Sequence, residues 1–348
     1  MDELNYNYVV LGSTDEYYML SYRDLDKSAC CKYVSQPFEE KSAWNKLLRL
    51  IHKIHMSPKV NAMIPLPFKS IWNSFLVDDY FKNGKKYCFI FFSAGPFTDH
   101  IPYGFVDVLK KRYPGSKYVV FYQDLIGHKR LVSINDFRTF CDELYSFDYK
   151  DAEEYKVHYY PLVYSELNLC GSSKLTTDVY FCGALKNRWN DIYKAYCYFS
   201  QNGCVCDFII VTSDKDIREK YKNLPGMVFV DKFSYRQNLL HASKTKNILE
   251  LMQKNGTGYT IRACEAVALK KRLVSNNMFL ERASFYSTDQ FVSFDAVENV
   301  DVKKLLKPFC ESSDEKYAAK MKELSPLSFM HRIDCDLGGT NKCLHTKA

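Results

Sequence analysis

A chain of 348 residues corresponds to about two domains at roughly 150 residues each. Its 47% hydrophobic and 26% charged composition supports a sizeable core, which excludes disorder and collagen-like architecture. Only 14 glycines stand against 27 Tyr and 24 Phe, too few for a small, turn-rich all-β protein. The 48 basic and 41 acidic residues leave a net +7 that is spread along the chain. That balance suits a phosphate-bearing partner without implying nucleic acid.

In chain order, short apolar runs alternate with amphipathic stretches. Strands are expected at 8–12, 88–93, 117–123 and 143–147, then at 178–183, 207–213, 227–231, 247–251, 272–276 and 291–295. Helical patterns lie between them at 44–55, 192–199, 235–242 and 260–269. Continuous apolar strands separated by helices indicate buried parallel sheet built from βαβ units. The most loop-like interior segment is 165–178, which divides the chain into two α/β halves. The expected domains are therefore 1–164 and 165–335, with 336–348 a frayed tail.

The 13 cysteines include no C-x-x-C pair, so free thiols in a reducing cytosol are expected rather than a zinc site or a disulfide framework. No signal-peptide pattern opens the chain, and no run of about 18 uncharged apolar residues occurs. A cytoplasmic protein is expected, soluble or peripheral at the inner face of the membrane. P-loop, G-x-G-x-x-G, G-x-S-x-G and H-E-x-x-H motifs are absent.

The most informative stretch is 247–277, which reads strand, glycine-containing loop, helix, strand. Gly256 and Gly258 permit close backbone approach, and Tyr259 and Thr260 lead into a helix start whose amides and positive end suit an anion. Arg262 offers a guanidinium for a diphosphate. Glu265, three residues on, lies on the same helix face and could accept both hydroxyls of a ribose. The alternative is a surface Arg–Glu pair at i,i+3. A second group, Gly183, Lys186 and Arg188, follows the strand at 178–183. In a parallel sheet it falls on the same edge as the 256–265 loop, so the two can converge on one ligand.

These residues carry a resemblance. The second half resembles the nucleotide-sugar domain of bacterial glycosyltransferases of the GT-B fold, of the capsule, exopolysaccharide and lipopolysaccharide type. The matching residues are FCGALKNR (181–188), the G-x-x-x-R-x-x-E-A block of Gly258, Arg262, Glu265 and Ala266, and the strand KRLVSNN (271–277). The first half matches through 87–93, 113–124 and 143–164, and 324–334 resembles the closing helix. The resemblance implies two Rossmann-like doubly wound domains facing a cleft. It also implies transfer of a sugar from a nucleoside diphosphate sugar to a glycan or polyprenyl-linked acceptor in surface polysaccharide assembly. Lys186, Arg188 and Arg262 would neutralise the departing diphosphate, Glu265 would hold the ribose, and neither cofactor nor metal is expected. The family's E-x7-E form is reduced here to Glu265.

An acceptor base is expected from the first half, among Asp15, Asp99 with His100, and Asp124 with His128; Asp124 is taken as the catalytic residue. Reach to the acceptor oxygen decides such a role before pKa does. A metal-dependent transferase would use D-x-D, and Asp214–Asp216 alone follows a strong strand. Helix capping explains that pair better, and the rival leaves the second α/β half unexplained. A non-catalytic nucleotide- or phosphoglycan-binding module would keep Arg262 and Glu265 without a base. No nucleic-acid partner is expected. Finally, 41–77 contains no Asp or Glu but holds Lys41, Lys46, Arg49, Lys53, Lys59 and Lys69. It reads either as a helix packed by Trp44, Leu47, Leu48, Ile51 and His55 on the first sheet, or as a docking surface for an anionic membrane.

Overall fold

The computed structural model describes residues 4–38, 43–127, 130–167, 174–252 and 256–338. The chain forms two compact units, Met1–Tyr160 with Pro326–Ala348, and Pro161–Ser325.

The first unit is built on a six-stranded sheet: β1 (Asn7–Leu11), β2 (Cys31–Val34), β3 (Tyr87–Phe92), β4 (Lys117–Tyr122), β5 (Glu143–Ser146) and β6 (His158–Tyr159), in the order β2-β1-β3-β4-β5-β6. Every pairing is parallel. The interior strands YVVL, YCFIFF and YVVFY are buried at every position, as expected where helices cover both faces of the sheet. The second unit repeats the plan with β7 (Thr177–Ala184), β8 (Cys206–Val211), β9 (Met227–Val230), β10 (Thr245–Glu250), β11 (Arg272–Ser275) and β12 (Phe291–Ser293), in the order β12-β11-β10-β7-β8-β9. These pairings are parallel too. Each sheet has one reversal of strand order, at β1/β3 and at β7/β10. Open α/β sheets bind ligands at such points, beyond the carboxyl ends of the strands.

Two expectations are corrected. The second unit does not extend to 335, because the helix Pro326–Asp336 belongs to the first unit. There Phe329 packs its ring 4.7 Å from Phe121 and 5.2 Å from Tyr145. Asp334 accepts hydrogen bonds from the Asn5 amide (3.0 Å) and the Tyr8 hydroxyl (2.7 Å). The first boundary falls at Tyr160 rather than 164. The second correction concerns the helix Ala43–Met56. Trp44, Leu47 and Ile51 face outward, with Trp44 64% exposed, while Leu48, His52 and Met56 turn toward the core. Of the proposed tail at 336–348, residues 339–348 lie outside the described residues, as do Lys41 and His128.

Candidate functional site

In the second unit the two predicted groups do share one sheet edge. Parallel pairing of β7 with β10 puts both following loops beyond the same ends. Two arginines lace them together. Arg188 donates from Nη1 to the Leu251 carbonyl that ends β10, and from Nε and Nη2 to the Ala184 carbonyl at 3.2 and 3.1 Å. In the other direction Arg262 donates from Nη2 to the Cys182 carbonyl on β7 at 2.9 Å. Burial, and then the Arg262 charge, lower the pKa of Arg188. Two cations are therefore held near one another at the β7/β10 reversal, an arrangement that favours an anion. Lys186, in the same turn, is exposed and adopts a left-handed backbone, φ 45°, a strained state that clusters at ligand sites. Gly183 fits close against Arg188: a Cβ there would lie 2.6 Å from its Nη2.

The loop after β10 is pinned from the β11 side. Asn276 accepts from the Met252 amide at 2.7 Å, and Asn277 donates to the Gly258 carbonyl at 3.1 Å. Thr260 caps the helix Ile261–Ala268 by accepting from the Arg262 amide at 3.1 Å. Its hydroxyl in turn donates to Glu250, which also accepts from Ser275. Burial raises the pKa of Glu250. Sequence reasoning missed this residue because Glu250 closes an apolar strand and carries no motif of its own. Gly256 is partly exposed, whereas Gly258 is buried.

Two donor-site expectations are corrected here. Tyr259 is buried with its ring 5.2 Å from Phe285, so it packs the loop rather than presenting a face to a ligand. Glu265 is wholly buried. One of its oxygens accepts from Asn238 Nδ2 at 3.0 Å, and the other accepts from Arg262 Nη1. Arg262 Nη1 also reaches Asn238 Oδ1 at 2.8 Å, and the Tyr180 hydroxyl donates to that same atom at 2.9 Å. Glu265 therefore anchors Arg262 and offers no oxygen to a ribose. Burial works against the Arg262 charge, yet Glu265 and the neighbouring groups together raise its pKa. It stays cationic. Asp214 accepts from the Asp216 and Ile217 amides at 3.0 and 3.1 Å, so the D-x-D carboxylate serves as a helix cap.

In the first unit Asp15, Asp99 and Asp124 follow β1, β3 and β4, on the carboxyl edge of the sheet. Asp99 and Asp124 line one cavity of about 320 Å³ with Ser93, Thr98 and Arg130. Asp124 is largely exposed and lies 4.0 Å from Arg130. Burial raises the pKa of Asp99. Behind this loop His100 and His52 meet through their Nε2 atoms at 2.7 Å, a contact that needs one of the two nitrogens unprotonated. Burial pushes His52 down to about 4 and His100 down to about 3. The unfolded chain takes up these protons near the ordinary histidine value of about 6.5, ahead of the folded one. Stability is thus full above that value and drains away as pH falls toward about 4. Urea unfolding at neutral pH and at about pH 4.5 should show the loss, and replacing both histidines by leucine should flatten that part of the profile.

No protein-family model matches the chain, and no curated protein matches it in sequence. Among solved structures it is similar to an alpha-glucosyltransferase in complex with UDP and a 13-mer DNA containing a central A:G mismatch. That match has TM-score 0.55 and 12% identity, over 96% of this chain and 99% of the other. It is also similar to an alpha-glucosyltransferase in complex with UDP and a 13-mer DNA containing an HMU base, with TM-score 0.50 and 12% identity over 95% and 98% of the two chains. At this identity the likeness is one of fold, and it spans both units: the chain has the two-unit, parallel-sheet α/β architecture of GT-B glycosyltransferases.

Proposed function

We propose that the protein is a glycosyltransferase that takes a sugar from a nucleoside diphosphate sugar and passes it to a glycan or polyprenyl-linked acceptor, as in surface polysaccharide assembly. The observation that carries this reading is the crossing of Arg188 and Arg262 between β7 and β10 at the strand-order reversal, with Lys186 exposed beside them. Charge grows on the departing diphosphate as the glycosidic bond breaks, and fixed cations at that point stabilise it. Lys186, Arg188, the Gly256–Gly258 backbone and Arg262 form the proposed donor site. Asp214 Oδ1 caps the helix Lys215–Tyr221, and the proposed donor site uses side-chain cations for the diphosphate.

The solved structures of this fold hold UDP, which makes uridine diphosphate the first probe. In calorimetry and thermal-shift measurements across nucleoside diphosphates, one of them should bind and raise the melting temperature by mass action, adding about 2.7 kcal/mol of stability at a hundredfold excess over Kd. No binding to any of them would end the reading. Gly183→Ala sharpens the test. The added methyl would lie 2.6 Å from Arg188 Nη2 and 3.2 Å from Phe181 Cζ, so it forces the guanidinium off the Ala184 and Leu251 carbonyls, and nucleotide affinity read from folded protein should fall. Those same structures also hold DNA, and duplex DNA therefore belongs in the acceptor panel beside glycans and polyprenyl-linked sugars. Binding with no transfer to any acceptor and no donor hydrolysis would favour a binding module.

A further inference from the structure

The segment 43–77 is apolar on two sides: Leu48, Met56, Trp72, Leu76 and Val77 pack on the core of the first unit, while many other apolar side chains face out. Polar groups tie the segment to itself: Trp72 Nε1 donates to His55 Nδ1 at 2.9 Å, and His55 Nε2 bonds the Pro67 carbonyl at 2.8 Å. Asn61 Nδ2 donates to the His55 carbonyl at 2.8 Å while its Oδ1 accepts from the Leu66 amide at 3.0 Å. His52 reaches inward to His100. The outer face is apolar. Ten of the seventeen exposed large apolar side chains among the described residues lie within 44–75, including Trp44, Leu50, Ile54, Met63 and Phe68. Phe68 is 76% exposed and sits on a left-handed backbone, φ 59°, an uncommon conformation for a bulky residue. A patch of this kind on a well-bonded scaffold marks a contact surface.

We infer that this face docks on an anionic phospholipid surface. The stretch 41–77 carries no acidic residue, and Lys46, Lys53 and Lys59 are exposed beside the apolar side chains. Such a rim complements negative headgroups while the aliphatic groups enter the acyl boundary and Trp44 sits at the interface. Nucleic acid is the poorer fit, because Trp44, Phe68 and Phe75 are outnumbered by Leu, Ile and Met side chains that offer bases neither a stacking face nor hydrogen bonds. No described helix is long and apolar enough to cross a membrane, so the contact is peripheral. The docking rests on this face alone and is independent of the donor site.

The test is flotation of the full chain with phosphatidylcholine vesicles, with and without phosphatidylglycerol. Binding should require phosphatidylglycerol and weaken as salt rises. Lys46→Gln and Lys53→Gln should each weaken it roughly fivefold, the effect of about one unit charge near such a surface. Leu50→Ser/Ile54→Ser should weaken it more than roughly tenfold. These side chains point outward, so melting temperature and nucleotide affinity should hold in every variant. Retained nucleotide binding with failed flotation would then overturn the docking alone. Trp44 emission should shift to the blue with the anionic vesicles, and Trp44→Phe should abolish the shift. Equal binding to neutral vesicles, no flotation, preferential capture of single-stranded DNA, or a dimer dissolved by Leu50→Ser/Ile54→Ser would each overturn the proposal.

Discussion

Replacing Arg262 by alanine is expected to cost about 3–5 kcal/mol of stability, because it strips the counter-charge from a wholly buried carboxylate. An open cleft in which Arg262 and Glu265 both faced a ligand would leave folding untouched. The geometry points the other way. Glu265 is closed in by Asn238 and Arg262, and Asn238 is itself held by Tyr180. Glu265→Gln should also destabilise, since its amide must turn a donor toward either Arg262 or Asn238 and leave the guanidinium without a counter-ion. Arg262→Met/Glu265→Leu should lose much less than the sum of the single losses, because the penalty in each single variant is a stranded charge. Melting and urea midpoints for the four proteins settle this. Unchanged stability in both single variants would restore Glu265 as a ligand for ribose. Nucleotide affinity must be read from folded protein only, at a temperature where each variant is native.

The 258–277 block was the most legible part of the chain, and the reasons are physical. A strand, a glycine loop and a capped helix leave period and turn signals in sequence, so β10, β11 and the helix Ile261–Ala268 fall where pattern places them. Parallel pairing then dictates that the loops after β7 and β10 share an edge, and their convergence follows. Side-chain direction was not legible. Arg262 and Glu265 at i,i+3 share a helix face under either reading, and only the packing of Asn238 against them shows that the face is internal. The same limit applies to the helix Ala43–Met56, where Leu48, His52 and Met56 turn inward while Trp44, Leu47 and Ile51 face out. β2 and β6 escaped detection as edge strands. One is interrupted by Lys32 and the other is only two residues long. The return of Pro326–Asp336 to the first unit depends on Phe329 meeting Phe121 and Tyr145, a contact between residues far apart in the chain.

Asp99→Asn is expected to lower turnover roughly a hundred- to ten-thousand-fold with little change in donor affinity, the range for loss of a general base. Asp99 and Asp124 share one cavity at the carboxyl edge of the first sheet, and both could face an acceptor hydroxyl there. Their surroundings separate them. Asp124 stands largely in solvent with Arg130 at 4.0 Å. Burial raises the pKa of Asp99, which makes it the stronger proton acceptor once ionised and the better match to a base working near neutrality. The sign of the pH dependence follows. The base acts only when deprotonated, so activity should rise with pH through the raised Asp99 value and show an acid limb above the ordinary carboxylate range. Asp124→Asn should keep that limb and lose less activity. Donor hydrolysis and transfer, measured across pH for both variants, decide between them. If Asp124→Asn removes the limb and Asp99→Asn leaves it in place, the base is Asp124 and the burial of Asp99 serves only the packing of the loop that carries His100.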